Sequence, residues 1–522
     1  MTNPDLLEPV TEGASRRRFL TTTGLGAASL IGGRVVLAQA DAALDLAKLP
    51  SEADVWRDVE FMNSLGPRHA GNAAHQKYMA FLNERLASAG LTVEPLKRSE
   101  LLLWEETAFG IKTDAGKNIP VASICRWSAV TGPKGITAPV KFIGRNEAHS
   151  SFARAVYALE TAKIDIPADI KGKIAVVEIM SEALPYDRMF GPHLGGVVDP
   201  TNAGGLPPTQ PIAAGWASNE NRLPQGFEES LKKAGAVGVI YAWANGVDDD
   251  ASGQYRRTGT EFLPSLWVGL SAAKELRALS EKGASITMTV DAKITKNVST
   301  VTPVAILPGQ TDEVILLWTN ADGMNAVQEN GTVAVINLMK YFGSLPKSAR
   351  KRTIAVVMSE GHMATRYLPD MWWQEKRPDF MKNAVVALAP EHLGCREWVG
   401  DPATNTFKPT GKPDITWAFT EGSPDRPNPL VPLMLEALKG SRRARTLVID
   451  RAAGAFSPGL GLWRQAKIPT IAYITTPAYF LAEAPNGHID KLDRAQFHDQ
   501  MQTLARLIHL LDAIPKNELR PA

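Results

Sequence analysis

Cysteine is almost missing from this 522-residue chain, which holds only Cys125 and Cys395. Two distant thiols build neither a disulfide framework nor a cysteine-based metal site, and leave one bridge as the sole covalent option in an oxidising compartment. An excess of either charge is missing too. The 57 basic and 55 acidic residues give a formal net charge of +2, which removes the electrostatic case for nucleic acid as a partner. After the N-terminal stretch no segment holds the roughly eighteen uninterrupted apolar residues of a membrane span, so none is expected in the mature chain. Internal repeats, low-complexity tracts and a Gly-x-Ser-x-Gly nucleophile elbow are all lacking. What remains is an ordinary globular composition, 44% hydrophobic and 21% charged. The length suits two or three domains, and 42 Gly with 36 Pro lead us to expect long loops.

The N-terminus reads as an address. Ser15-Arg16-Arg17-Arg18-Phe19-Leu20 precedes a mildly apolar stretch from Thr21 to Leu37, followed by the small-x-small site Ala38-Gln39-Ala40. This is the layout of a secretory signal peptide, and the paired arginines resemble the twin-arginine type. Residues 1–40 are therefore expected to be a leader, and the protein to be periplasmic or secreted. Twin-arginine export carries folded cargo, often with its cofactor in place, which hints at a bound metal.

The mature chain alternates between strand and helix signals. A turn-rich Leu65–Asn72 precedes a helix over 74–89, with Tyr78, Phe81, Leu82 and Leu86 at helical spacing and Gly90 at its end. Strands are expected at 140–143, 174–179, 237–241, 263–268 and 286–290. Residues 180–226, rich in Gly, Pro and Asn, are expected to form a long loop or lid, whose Tyr186, Arg188 and His193 would line a pocket with Trp372 and Trp373. A second run places strands at 314–318, 353–358, 384–388 and 468–473, with helices at 331–342 and 493–511. Near-continuous apolar strands between helices predict an α/β fold, a mostly parallel sheet with helices on both faces. Ligands bind such sheets beyond the carboxyl ends of the strands, here just after Trp318, Met358 and Leu388.

These segments resemble the zinc-dependent aminopeptidase family, which includes glutamate carboxypeptidases and the non-enzymatic transferrin receptor ectodomain. The likeness starts at Leu65–Gly90 and covers nearly all of residues 55–515. It implies a zinc-exopeptidase-like domain over 41–125 and 295–522, interrupted by a smaller protease-associated-like α/β insert over 126–294. The landmarks of that insert are Asp169-Ile170-Lys171-Gly172-Lys173-Ile174, Lys233-Ala234-Gly235-Ala236-Val237-Gly238 and Leu263-Pro264-Ser265. The family's metal ligands are largely rewritten. The His of its His-x-Asp corresponds to Asn320, with Asp322 retained. Its bridging Asp corresponds to Glu329 in Glu329-Asn330, and its Gly-Glu-Glu turn to Gly361-His362-Met363. Its later Asp corresponds to Glu391 in Pro390-Glu391-His392, and its last His to a His-free stretch, Ser457-Pro458-Gly459-Leu460-Gly461-Leu462.

This set does not furnish an ordinary two-zinc centre, which needs about five side-chain ligands. One divalent ion, zinc or another, can still be held by Asp322, Glu329, Glu391 and His392, with His362 and Glu360 close by. A metal-free site is the alternative, with His362 as general base oriented by Glu329 or Glu391. Asn320 and His488, the latter in Gly487-His488-Ile489-Asp490, are candidate substrate contacts. Each residue also has a structural reading: Glu391 and His392 can pair with Arg396, and Asn320 and Asp322 can shape a turn. The function expected is an exported hydrolase acting on an amide or peptide-like bond, with a peptide or small molecule as substrate. A non-catalytic relative binding such a ligand, and a lyase or isomerase in the same pocket, are the alternatives. The oligomeric state is not legible.

Overall fold

The computed structural model describes residues 44–520 apart from 147–163, 180–182, 185, 187–189, 209–211, 214–225, 245–246, 249–261, 363–371, 451–459 and 483. The expected leader, residues 1–40, lies outside the described residues, as do Met363, Arg188 and residues 457–459.

Four parallel strands form the middle of a nine-stranded sheet: Arg352–Ser359, Thr311–Asn320, Ala384–Glu391 and Thr470–Thr475, side by side in that order. Their runs are apolar on successive residues because both faces are covered. Ile315 and Leu317 point into a core built with helices Glu52–Ser64, Ala73–Ser88, Gly331–Ser344 and Arg494–Ala513. Val314, Leu316 and Trp318 point the other way, onto Trp373, Phe380 and Leu462. Helix Ala73–Ser88 starts on Asn72, whose side chain accepts from the His75 N–H, and ends before Gly90 in a left-handed conformation (φ +84°).

The margins of the sheet depart from the parallel expectation. Val304–Leu307 and Thr92–Val93 add antiparallel on one side. Ile415–Glu421 runs antiparallel to Thr470–Thr475 on the other, followed by Arg445–Asp450 and an antiparallel edge, Leu194–Val198. Antiparallel neighbours need no crossover helix, so the chain can fold back at each side. The edge strand also corrects the reading of 180–226 as one loop. Gly195 and Gly196 look like loop residues, yet helix Leu430–Leu438 approaches so closely that a Cβ there would strike Val431 and Leu435.

A second, eight-stranded sheet is joined to the first by a ribbon. Leu96–Thr113 and Ser285–Thr302 pair antiparallel along most of their length. Beyond them lie Ile136–Asn146, Ile174–Ile179, Gly238–Trp243 and Ser265–Val268, all parallel. Cys125 and Cys395 are buried and unbridged. Among the described residues no helix is long and apolar enough to cross a membrane.

Candidate functional site

The site is built where the central strands end. Asn320 and Ser359 are register partners at the last positions of their strands. The Ser359 hydroxyl accepts from Trp318 Nε1 (2.9 Å) and donates to Asn320 Oδ1 (2.8 Å). Asn320 Nδ2 in turn donates to Glu391 Oε1 at 3.3 Å. This chain aims the Glu391 carboxylate, and it occupies Asn320 fully inside the protein.

Glu329 reaches the same place from the turn before helix Gly331–Ser344. Gly331 packs against the end of strand Ala384–Glu391 so tightly that a Cβ would lie inside the Pro390 carbonyl. The Thr319 hydroxyl donates to that same carbonyl at 2.9 Å. Asn330 then locks the two segments together. Its Nδ2 donates to Leu393 O (2.9 Å) and its Oδ1 accepts from Leu393 N (2.7 Å). Glu329 (φ +63°) and His392 (φ +51°) both sit in the left-handed region, which costs a non-glycine residue on the order of 1 kcal/mol or more each. The cross-links hold both residues there.

As a result Glu329, Glu391 and His392, all buried, bring one ligand atom each within 4.8 Å of one another. His392 Nδ1 lies 2.8 Å from the Thr475 carbonyl. A carbonyl only accepts, so Nδ1 carries the proton and Nε2 presents a lone pair. Nε2 is buried with no hydrogen-bond partner among the described residues. Burial first, with a smaller push from His362, lowers the His392 pKa to about 3, so the ring is neutral at physiological pH.

His362 stands at the margin, its side chain 18% exposed and its Nε2 3.6 Å from Glu329 Oε1. The bend at Gly361 (φ +93°) turns its backbone N–H onto Asp322 Oδ1 at 3.1 Å. Asp322, expected among the ligands, therefore stands outside the group of three and fastens the His362 turn instead. Glu360 faces away. It accepts from the Thr302 hydroxyl and from Trp372 Nε1 (3.1 Å), with Arg98 at 4.0 Å. His488 is buried in a neighbouring loop, its Nε2 2.9 Å from the Ala482 carbonyl and its ring beside Tyr479. At 0% exposure it presents no face to solvent. Arg396 pairs with Asp493 at 3.3 Å rather than with Glu391 or His392. Tyr186 is buried against Phe190 and Trp417, and Trp373 against Trp318, so both serve packing. His193 is exposed.

Arg68 escaped the reading of the sequence. It is fully buried and lies over the Tyr78 ring at 5.3 Å. Its Nη2 donates to the carbonyls of Asn325 (3.1 Å) and Gln328 (3.0 Å), tying down the turn that carries Glu329. Burial lowers its pKa, while Tyr78, Glu329 and Asp322 counter that loss by favouring the cation. A fixed positive charge thus faces the acidic side of the site. The only cue was its place in the turn-rich 65–72 segment.

Three buried histidines carry a pH consequence. Burial brings His75 as well as His392 down to about 3, and His69 is lowered by burial, then by Arg126 and Arg68. An unfolded histidine titrates near 6.5, so below that pH the unfolded chain binds more protons than the folded one. Stability is therefore intact above about pH 6.5 and falls on acidification, by about 1.4 kcal/mol per pH unit for each such histidine. For the metal-free protein the urea midpoint is expected to drop steeply between pH 7 and pH 5. A midpoint that stays flat over that range would contradict the assigned neutral state.

No family model matches the chain, and no curated protein matches it. Solved structures do. A peptidase M28 precursor from Shewanella amazonensis SB2B superposes with a TM-score of 0.64 at 16% identity, covering 94% of this chain and 99% of its own. A zinc aminopeptidase from Bacillus subtilis gives 0.55 at 13% identity, over 88% of this chain and 95% of that one. An aminopeptidase from Aneurinibacillus sp. strain AM-1 gives 0.52 at 14% identity, over 93% and 97%. At such identities the likeness is one of fold: the chain has the α/β fold of the zinc aminopeptidases.

Proposed function

We propose that this chain, which shares the fold of the zinc aminopeptidases, is an exported hydrolase of an amide or peptide-like bond. Its centre is a single divalent ion held by Glu329, Glu391 and His392. The observation that carries this reading is the His392 Nε2 lone pair, buried without a hydrogen-bond partner beside two buried carboxylates. Two buried carboxyl groups and a bare imidazole nitrogen, held together out of water, favour a bound cation. An imidazole with two carboxylates is also a donor set that zinc and its first-row neighbours accept.

Bound there, the ion would polarise the scissile carbonyl as a Lewis acid. The chain's own residues do the rest. His362, partly exposed and 3.6 Å from Glu329, takes a proton from the attacking water and returns it to the leaving amine. Glu329 stabilises the imidazolium that forms between those events. Asp322 holds the His362 turn, and Asn320 keeps Glu391 aimed. The substrate is a peptide or a small amide. On their sequence landmarks, we also read residues 1–40 as a twin-arginine leader and 126–294 as a protease-associated-like insert.

The test is turnover on a panel of aminoacyl and acyl amides. His362→Ala should reduce kcat by about 100-fold or more with the melting temperature nearly unchanged. Wild-type turnover by that variant would remove His362 from the chemistry.

A further inference from the structure

The end of the large sheet that carries the candidate site continues past it. Glu391 and Thr475 are the last residues of their strands, and the antiparallel return starts the next two strands at that same end. Thr416 is the register partner of Thr475, and Arg445 of Ile415. The edge strand finishes there too, with Val198 opposite Thr446. The segments that follow Val198 and precede Ile415 and Arg445 therefore lie at the end of the sheet where Glu329, Glu391 and His392 meet.

These flanking segments line a groove of about 770 Å³. Its charged and hydroxyl side chains are Thr201, Arg396, Thr410, Lys412, Arg443 and Asp493, so three cations face one acid. The acids in and beside the groove are already engaged. Asp493 pairs with Arg396 at 3.3 Å and accepts from Gln496 N at 2.8 Å. Glu397 accepts from the Thr410 hydroxyl (2.6 Å) and lies 3.6 Å from Arg445. Asp199 accepts from the Thr201 hydroxyl (2.7 Å) and from Gly204 N (3.1 Å). Lys412 and Arg443 have no acidic partner among the described residues. Their backbones are nevertheless fixed. Lys412 sits between Gly411, at φ +81°, and Pro413, and its N–H donates to the Thr410 hydroxyl at 3.3 Å. The buried Asp499 accepts from the successive N–H groups of Arg442 (2.9 Å), Arg443 (3.0 Å) and Ala444 (3.3 Å). Two unpaired cations held on fixed loops beside a groove attract carboxylates at a small ordering cost.

We propose that this groove holds the acidic segment of a peptide substrate, which rests on the hydrolysis proposed above and narrows its substrate class. From the strand that ends at Glu391 to the strand that starts at Arg445 is a distance of three inter-strand steps, roughly 14 Å. An extended peptide covers that distance in about four to six residues. The favoured substrate carries Asp or Glu at that separation from its scissile bond.

The probe is a labelled peptide with its reactive bond N-methylated and Glu at about the fourth to sixth residues from it, compared with its Gln counterpart. In fluorescence anisotropy at low salt, the full chain should bind the Glu peptide at least about tenfold more tightly than the Gln peptide. That preference should vanish in the double variant Lys412→Ala/Arg443→Ala, whose melting temperature is compared with that of the wild type. Equal binding of both peptides to the wild type, or a preference that survives in the folded variant, would overturn the assignment. With the bond left unmethylated, the ratio of kcat/KM for the Glu over the Gln peptide should fall to about one in the variant. A ratio equal to that of the wild type would count against the groove as well. If the wild type cleaves neither peptide, the hydrolysis reading fails, and the binding preference still decides whether the groove takes acidic peptides.

Discussion

His392→Asn is expected to weaken binding of a divalent ion by at least about 100-fold and to abolish amide turnover, with the fold preserved. Asparagine suits this test because it tolerates the left-handed backbone better than most residues, so the φ of +51° at position 392 is not itself put at risk. The variant loses the Nε2 lone pair that no described residue satisfies, while Glu329 and Glu391 stay in place through Asn330 and Asn320. Isothermal titration with zinc measures the loss, and circular dichroism checks the fold. An unchanged affinity would mean that His392 is a packing residue with an idle nitrogen.

Gly331→Ala is the second large effect. The added Cβ has nowhere to go, because it meets the Pro390 carbonyl, a backbone atom that cannot swing aside. Helix Gly331–Ser344 must retreat from strand Ala384–Glu391, and with it Glu329 retreats from Glu391. The expected cost is about 3 kcal/mol of stability, accompanied by loss of ion binding even at temperatures where the variant stays folded. Glycine is required here for close approach and not for its φ. An alanine variant with wild-type melting and wild-type affinity would show that the two ligand-bearing segments need not touch.

Much of this was legible in the sequence, for reasons that can be traced residue by residue. Val314–Trp318 and Ala384–Leu388 are apolar on every residue, a pattern that buried parallel strands leave clearly. Helix Ala73–Ser88 carries its own start and stop signals in Asn72 and Gly90. Strand ends in such a sheet point to Glu329, His362 and Glu391 together with Asp322, and His392 reads only as the neighbour of Glu391. Other features left no local trace. Leu194–Val198 hides as a strand because its glycines answer to a helix more than two hundred residues away. The ribbon strand Leu96–Thr113 mixes charged and apolar residues, since part of it has one face in solvent, and so lacks a clean period. Whether Asp322 points at the cluster or at the His362 N–H depends on the bend at Gly361, which spacing alone does not reveal. Arg68 was invisible as a site residue because its carbonyl partners, Asn325 and Gln328, lie some 260 positions away.

The central claim is that Glu329, Glu391 and His392 share one ion. Elemental analysis of the protein, purified without added metal or chelator, addresses it most directly. One equivalent of a divalent first-row metal per chain, absent from His392→Asn prepared identically, is the expected result. Wild-type protein free of metal even after incubation with zinc, or carrying two equivalents, would contradict it.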